Sequence, residues 1–141
     1  MLFEAARLAK KAREIWRGGF SDFLNAALDE GENIREADYR EALKMRTQLQ
    51  QSLAEFFDRG YSAIMTPPAA GEAPATRENT GDPRFCSIWT LVGLPAITIP
   101  TGKGPKGMPL GLQLIGAAEE ENYLLATAAW CERYSPFKGL V

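Results

Sequence analysis

Two thiols, Cys86 and Cys131, stand in a chain of 141 residues that contains no histidine. Mechanisms that need an imidazole base are thereby excluded, Ser-His-Asp and Cys-His arrangements among them, and the commonest metal ligand is missing. Any hydrolysis would take its base from a lysine or a carboxylate. Cys86 with a glutamate base and a lysine is one such arrangement and would suit amide cleavage. The plainer expectation for both thiols is burial as small hydrophobes. Their separation lacks the CxxC spacing of zinc or redox sites, and no metal ligand set is expected. Gly102-Lys103-Gly104-Pro105-Lys106-Gly107 invites a phosphate-loop reading, but Met108 and Pro109 follow where a lysine and a hydroxyl are needed. A turn between strands is expected there. Ser135-Pro136-Phe137-Lys138 has S-x-x-K spacing without the helix start that would bring the lysine onto the serine oxygen, and reads as a frayed tail.

The elements that would position such groups follow from periodicity. Residues 2–16 carry Ala5, Leu8, Ala12 and Ile15 at helical spacing, with Arg7, Lys10, Lys11 and Arg17 on another face, until Gly18-Gly19. Ser21 or Asp22 caps a second helix through Leu28, which Gly31 is expected to close in the left-handed conformation. Asn33 and Glu36 have capping-box spacing before the longest helix, whose stripe of Tyr39, Ala42, Leu49, Leu53 and Phe56 runs to Gly60. Arg46 interrupts that stripe, which predicts a partly buried arginine. Ser62-Ala63-Ile64-Met65-Thr66 reads as a strand stopped by Pro67-Pro68. Residues 67–84 then form a long proline-bearing loop, of a length that in a compact domain points to function. A helix over 85–92 ends at Gly93, and strands follow at Ala96-Ile97-Thr98-Ile99 and over 110–115, both apolar enough to be buried on each face. Glu119, Glu120 and Glu121 open a final helix with Leu124, Leu125, Ala128 and Ala129 as its apolar face.

Composition narrows the function classes. Sixteen basic against eighteen acidic residues leave a net charge of −2, which provides no field for nucleic acid or an anionic membrane. No apolar run approaches the roughly 18–20 residues of a membrane span, and Met1-Leu2-Phe3-Glu4 does not open a secretory signal, so a cytoplasmic protein is expected. The fold class is α/β: a single domain over 1–141, with a helical N-terminal region at 1–31 and a core at 32–134 holding about three strands. So narrow a sheet leaves unpaired backbone along both rims. The strands are therefore expected to sit inside a larger sheet or to pair with another copy, which predicts a homo-oligomer.

Several short stretches, weak singly, occur together in a telling order. They are Asp38-Tyr39 with Arg46, the strand into Thr66-Pro67, Thr80-Gly81-Asp82, Trp89-Thr90 before Gly93-Leu94-Pro95, Ile99-Pro100, and the run from Met108 through Pro109-Leu110-Gly111-Leu112-Gln113-Leu114-Ile115 to Gly116. In this arrangement the chain resembles the carboxy-terminal part of the amidase-signature hydrolases, the family related to the A subunit of glutamyl-tRNA amidotransferase. The resemblance implies a partial amidase-signature fold with a small mixed sheet, and a reaction in which serine attacks a carboxamide to give an acyl-enzyme that water resolves. It implies no metal or organic cofactor. Asp82, Phe85, Trp89, Thr90 and Gly93 fall where the family's substrate channel is walled. The family's Gly-Gly-Ser-Ser-Gly type signature and its early lysine have no counterpart in this sequence. The resemblance therefore implies no catalytic residue here, a small amide substrate only together with a missing N-terminal part, and a loop over 67–84 made mobile by the loss of its packing partners. A non-catalytic binding module that self-associates through exposed sheet edges is the alternative from a different class.

Overall fold

The computed structural model describes residues 1–16, 18–76, 80–135 and 137. Arg17 of the basic face, residues 77–79 of the long loop, and Pro136 and Lys138 of the tail lie outside the described residues. Two compact units divide the chain, Met1–Thr47 and Gln48–Val141.

In the first unit, helices α1 (Leu2–Ile15) and α2 (Asp22–Asn33) pack together around Phe3, Ala6 and Leu28. The Ser21 hydroxyl caps α2 by accepting from the Leu24 amide at 3.3 Å, as its position predicts. Gly31 departs from expectation. It lies inside α2 rather than closing it, and a Cβ there would stand 2.3 Å from the Leu2 carbonyl oxygen and 2.9 Å from the Ala6 Cβ. Glycine is present because α1 approaches that closely. The capping box also fails: Asn33 is the last residue of α2, and its side-chain amide donates to the Asp29 carbonyl at 2.9 Å. At the start of α3 (Glu36–Asp58), Arg35 instead clasps Asp38 with two hydrogen bonds of 2.7 and 2.8 Å. The Tyr39 ring stacks on Phe3 at 4.1 Å, and its hydroxyl donates to Glu4 at 2.8 Å. That hydrogen bond, with the N-terminal ammonium beside it, holds the Glu4 carboxyl below its ordinary range.

Along α3, Tyr39, Arg46, Leu49, Leu53 and Phe56 are half-buried, Ala42 is exposed, and no residue of the helix is fully buried. Arg46 meets its expectation of partial burial, and its Nε has no hydrogen-bond partner among the described residues.

The second unit holds the sheet, with strands β1 (Ile64–Thr66), β2 (Ala96–Lys103) and β3 (Pro109–Ile115) in the order β1-β3-β2. Both pairings are antiparallel. The mixed pairing expected of the sheet is absent among these three strands: β2 and β3 are joined by a turn too short for a parallel crossover, and β1 also runs antiparallel to β3. In register, Thr66 and Thr98 both lie opposite Gln113, and Pro100 opposite Gly111, after which a bulge re-aims β2. Helix α4 (Arg84–Val92) ends at Gly93 with φ +72°, the left-handed turn that glycine adopts without cost, and the Leu94 amide returns to the Trp89 carbonyl.

Helix α5 (Glu121–Tyr134) covers one face of the sheet, burying Leu124 and Ala128 against Ile99 and Leu114, with Ala63, Ile97, Leu112 and Cys131 around them. Burial on both faces, expected of β2 and β3, holds only for Gln113, Leu114 and Ile115. In β2 only Ile99 is fully buried, so one face of that strand lacks a cover. Cys131 packs beside the core as a small hydrophobe, whereas Cys86 is exposed at the first turn of α4, against the expectation of burial for both.

Candidate functional site

Side chains alternate across a strand, so Thr98 and Gly111 face away from α5. They lie in the floor of an open groove of about 990 Å³ in the second unit. Residues 67–74 wall it on one side, and Thr80, Asp82 and Phe85 line it near the start of α4. Gly111 is needed in the floor because a Cβ would come within 2.5 Å of the Thr98 methyl and 3.2 Å of the Ile99 carbonyl oxygen.

Three links hold the groove together. Gln113, only 3% exposed on the central strand, donates from its amide to the Phe85 carbonyl at 3.4 Å. Its Oε1 lies 3.7 Å from the Cys86 sulfur, and that thiol also reaches the Pro68 carbonyl at 3.4 Å. The buried Gln113 amide thus ties the sheet to the first turn of α4, and the Cys86 thiol, whose one proton is shared between Gln113 Oε1 and the Pro68 carbonyl, joins that turn to the start of the long loop. At the groove's other end the Glu72 carboxylate accepts from the amides of Lys106 at 2.9 and 3.1 Å and Met108 at 3.0 Å. Finally, Asp82 accepts from the Arg84 amide at 2.9 Å and from its guanidinium Nε at 2.7 Å.

The Arg84 guanidinium, then the Arg84 amide, hold the Asp82 carboxyl below its ordinary value of 3.8. A depressed folded-state pKa makes a contribution to stability that is present above pH 3.8 and lost as pH falls through the lower folded value. Followed by NMR, the Asp82 carboxyl is expected to titrate below pH 3.8, with the Arg84 amide shifting in step, and Asp82→Asn should abolish that shift. A midpoint at or above 3.8 would contradict the clasp.

Of the residues that sequence marks for a channel wall, Asp82 and Phe85 line this groove. Trp89, Thr90 and Gly93 do not. Trp89 is half-buried in the second half of α4, Thr90 is exposed with its hydroxyl donating to the Cys86 carbonyl at 3.2 Å, and Gly93 caps the helix. Sequence reasoning missed Gln113, Gly111 and Glu72. One signal for Glu72 was present: it is the single charged residue in the stretch 67–76. The contacts of Cys86 are an amide side chain and a backbone carbonyl, neither of which can take a proton from the thiol. The Ser135 hydroxyl is likewise committed, donating to the Pro100 carbonyl at 2.8 Å. No group of three or more histidine, cysteine, aspartate or glutamate side chains suited to a metal occurs among the described residues.

The sequence matches the Amidase family over residues 3–125. This chain belongs to the amidase family. The A subunit of the mitochondrial glutamyl-tRNA(Gln) amidotransferase of Xenopus laevis is 30% identical over 138 residues, covering 88% of this chain and 26% of that protein. Its counterpart in Ruegeria sp. (strain TM1040) is 38% identical over 110 residues, covering 72% of this chain and 22% of that protein. A crystal structure described as an amidase superposes with a TM-score of 0.75 at 30% identity, covering 95% of this chain and 33% of that one. The A subunit of the Thermotoga maritima glutamyl-tRNA(Gln) amidotransferase gives a TM-score of 0.60 at 26% identity, over 92% of this chain and 28% of that one. The chain therefore spans about a quarter to a third of the length of the relatives it matches. The groove lies within an amidase-signature fold, of which these residues build one part.

Proposed function

We propose that this chain is the carboxy-terminal part of an amidase-signature amide hydrolase, supplying scaffold and one wall of the substrate groove, while the nucleophilic serine, its partner serine and the lysine come from a portion outside it. The observation that carries this reading is coverage: nearly the whole chain superposes on 33% of a solved amidase. The missing serine-rich signature agrees with it, as does the engagement of both groove carboxylates in internal hydrogen bonds. Asp82 and Phe85 are read as facing the substrate, with Trp89, Thr90 and Gly93, which lie off the groove, as the rest of the segment that carries them; the substrate is read as a small amide, with no metal or organic cofactor. A cytoplasmic setting without nucleic acid or membrane fits the near-neutral charge, and no described helix is long and apolar enough to cross a membrane.

Exposed apolar surface supports a missing partner. Beside a second groove of about 540 Å³ between β1 and α5, Met65 is 60% exposed and Trp130 57% exposed. Large side chains so placed mark a surface that something else covers. Mixing the chain with a polypeptide carrying the serine-bearing remainder of an amidase-signature relative is expected to give a complex that releases ammonia from small amides. An inert mixture, despite complex formation, would overturn the reading.

A second reading, a self-associating binding module, is favoured by one observation: among the described residues β1 and β2 each pair only with β3, leaving an edge on either side of the sheet. It requires a stable dimer at micromolar concentration in sedimentation, and a monomer would dismiss it.

A further inference from the structure

The wall of the groove over residues 67–74 contains prolines, alanines and a glycine, and one charge, Glu72. In this stretch Pro68 and Glu72 are half-buried, the other residues are exposed, and none pairs in a strand. What anchors it is the carboxylate of Glu72, which sits in the turn joining β2 to β3 and accepts from the amides of Lys106 and Met108. The turn is shaped around that group. The Gly104 amide donates to the Met108 carbonyl and the Gly107 amide to the Gly104 carbonyl, each at 2.9 Å, with Gly107 at φ +80°. A Cβ on Gly104 would lie 2.4 Å from both Cγ and Cδ of Glu72, so a side chain there would push the carboxylate off this position. The Gly-rich turn thus holds an anion supplied by its own chain, through charge-assisted hydrogen bonds of the stronger kind.

We propose that Glu72 is the tether that holds the groove's outer wall against the β2–β3 turn, and that it thereby sets the size of ligand the groove admits. The wall is fixed at one end by β1 and at Pro68, whose carbonyl meets Cys86. Further along the wall, Glu72 ties it to the turn of the sheet through the Lys106 and Met108 amides. The size-setting role rests on the reading of this groove as the substrate groove, while the tether does not.

Amide hydrogen exchange on the full chain, with Glu72→Gln and Glu72→Ala, tests the tether without any activity. Losing the charged acceptor should speed exchange at Lys106 and Met108 by roughly tenfold or more in Glu72→Ala, and by less in Glu72→Gln, which keeps one acceptor oxygen. Elastase, which cuts after small residues, should cleave more quickly among Ala69, Ala70, Ala73 and Ala75. Exchange at Lys106 and Met108 that is equally fast in all three proteins would overturn the tether. Should Glu72→Ala also expose the Leu112 and Leu114 amides, Glu72→Gln decides: faster exchange confined to the turn supports the tether, and unchanged exchange removes it. In the reconstituted hydrolase, Glu72→Ala is expected to lower KM for a bulky amide relative to that for a small one. An unchanged ratio, beside a loosened turn, would overturn the size-setting role. Failure of the wild-type mixture to hydrolyse amides would instead fault the assignment of the groove, leaving the exchange result to decide the tether.

Discussion

Leu114→Ala should lower the stability of the second unit by about 2–5 kcal/mol, read as a shift in urea midpoint at constant slope. Leu114 is 0% exposed near the end of the middle strand, where it meets Ile99, Leu124 and Ala128. Truncation removes buried methyl groups and leaves a cavity that a sheet pinned on both sides of β3 is poorly able to close. Leu125→Ala provides the control: that side chain is 53% exposed, and a change within about 0.5 kcal/mol is expected. Equal effects at the two positions would show that α5 does not bury the face assigned to it.

Gly111→Val is expected to act on stability and groove together. Its first side-chain carbon would be driven within 2.5 Å of the Thr98 methyl and 3.3 Å of the Pro68 ring, between the floor and the wall. Overpacking of this kind costs about 1–3 kcal/mol, and the added methyls fill the groove floor. Part of the strain comes from one methyl, so Thr98→Ser in the Gly111→Val background should recover stability, and a double-mutant cycle would measure the coupling. The 3.2 Å approach to the Ile99 carbonyl sets the part that cannot be recovered, because backbone does not yield as a side chain does. A Gly111→Val protein with an unchanged midpoint would show that the strands sit farther apart than this geometry has them.

What could be read in the sequence was mostly what is local. Helical spacing found α1, α4 and α5, and β-rich runs stopped by proline or glycine found the three strands, because both signals arise from residues within one turn or one strand. The glycines were harder. Gly93 and Gly31 both follow an apolar helical stretch, yet Gly93 turns left-handed while Gly31 lies in α2 under the Leu2 carbonyl. Nothing local separates the two uses, since the second depends on a neighbouring helix. Leu124 and Leu125 likewise share one description in sequence, although only Leu124 meets the sheet. Leu125, like Trp130 and Met65, is exposed although its type suits a core.

Of the groove, the segment at Asp82 and Phe85 was legible through family resemblance, and its architecture was not. Glu72 meets Lys106 across 34 residues, and Gln113 meets Phe85 across 28. Both are contacts that no periodicity encodes. The Gly-rich turn shows the same limit from the other side. Its glycines advertise an anion site, and the anion proves to be a carboxylate from a distant loop. That contact is made within the chain itself, although the loop was expected to have lost its packing partners.

The most direct measurement of the central claim is ammonia release from simple amides by the purified 141-residue chain, with and without the serine-bearing remainder of an amidase-signature relative. The isolated chain should give no turnover above a heat-denatured control, and the mixture should turn over until the added serine is replaced by alanine. Sustained hydrolysis by the isolated chain, whether or not it survives Cys86→Ala, would contradict the claim that these residues shape an amidase groove without cutting the bond.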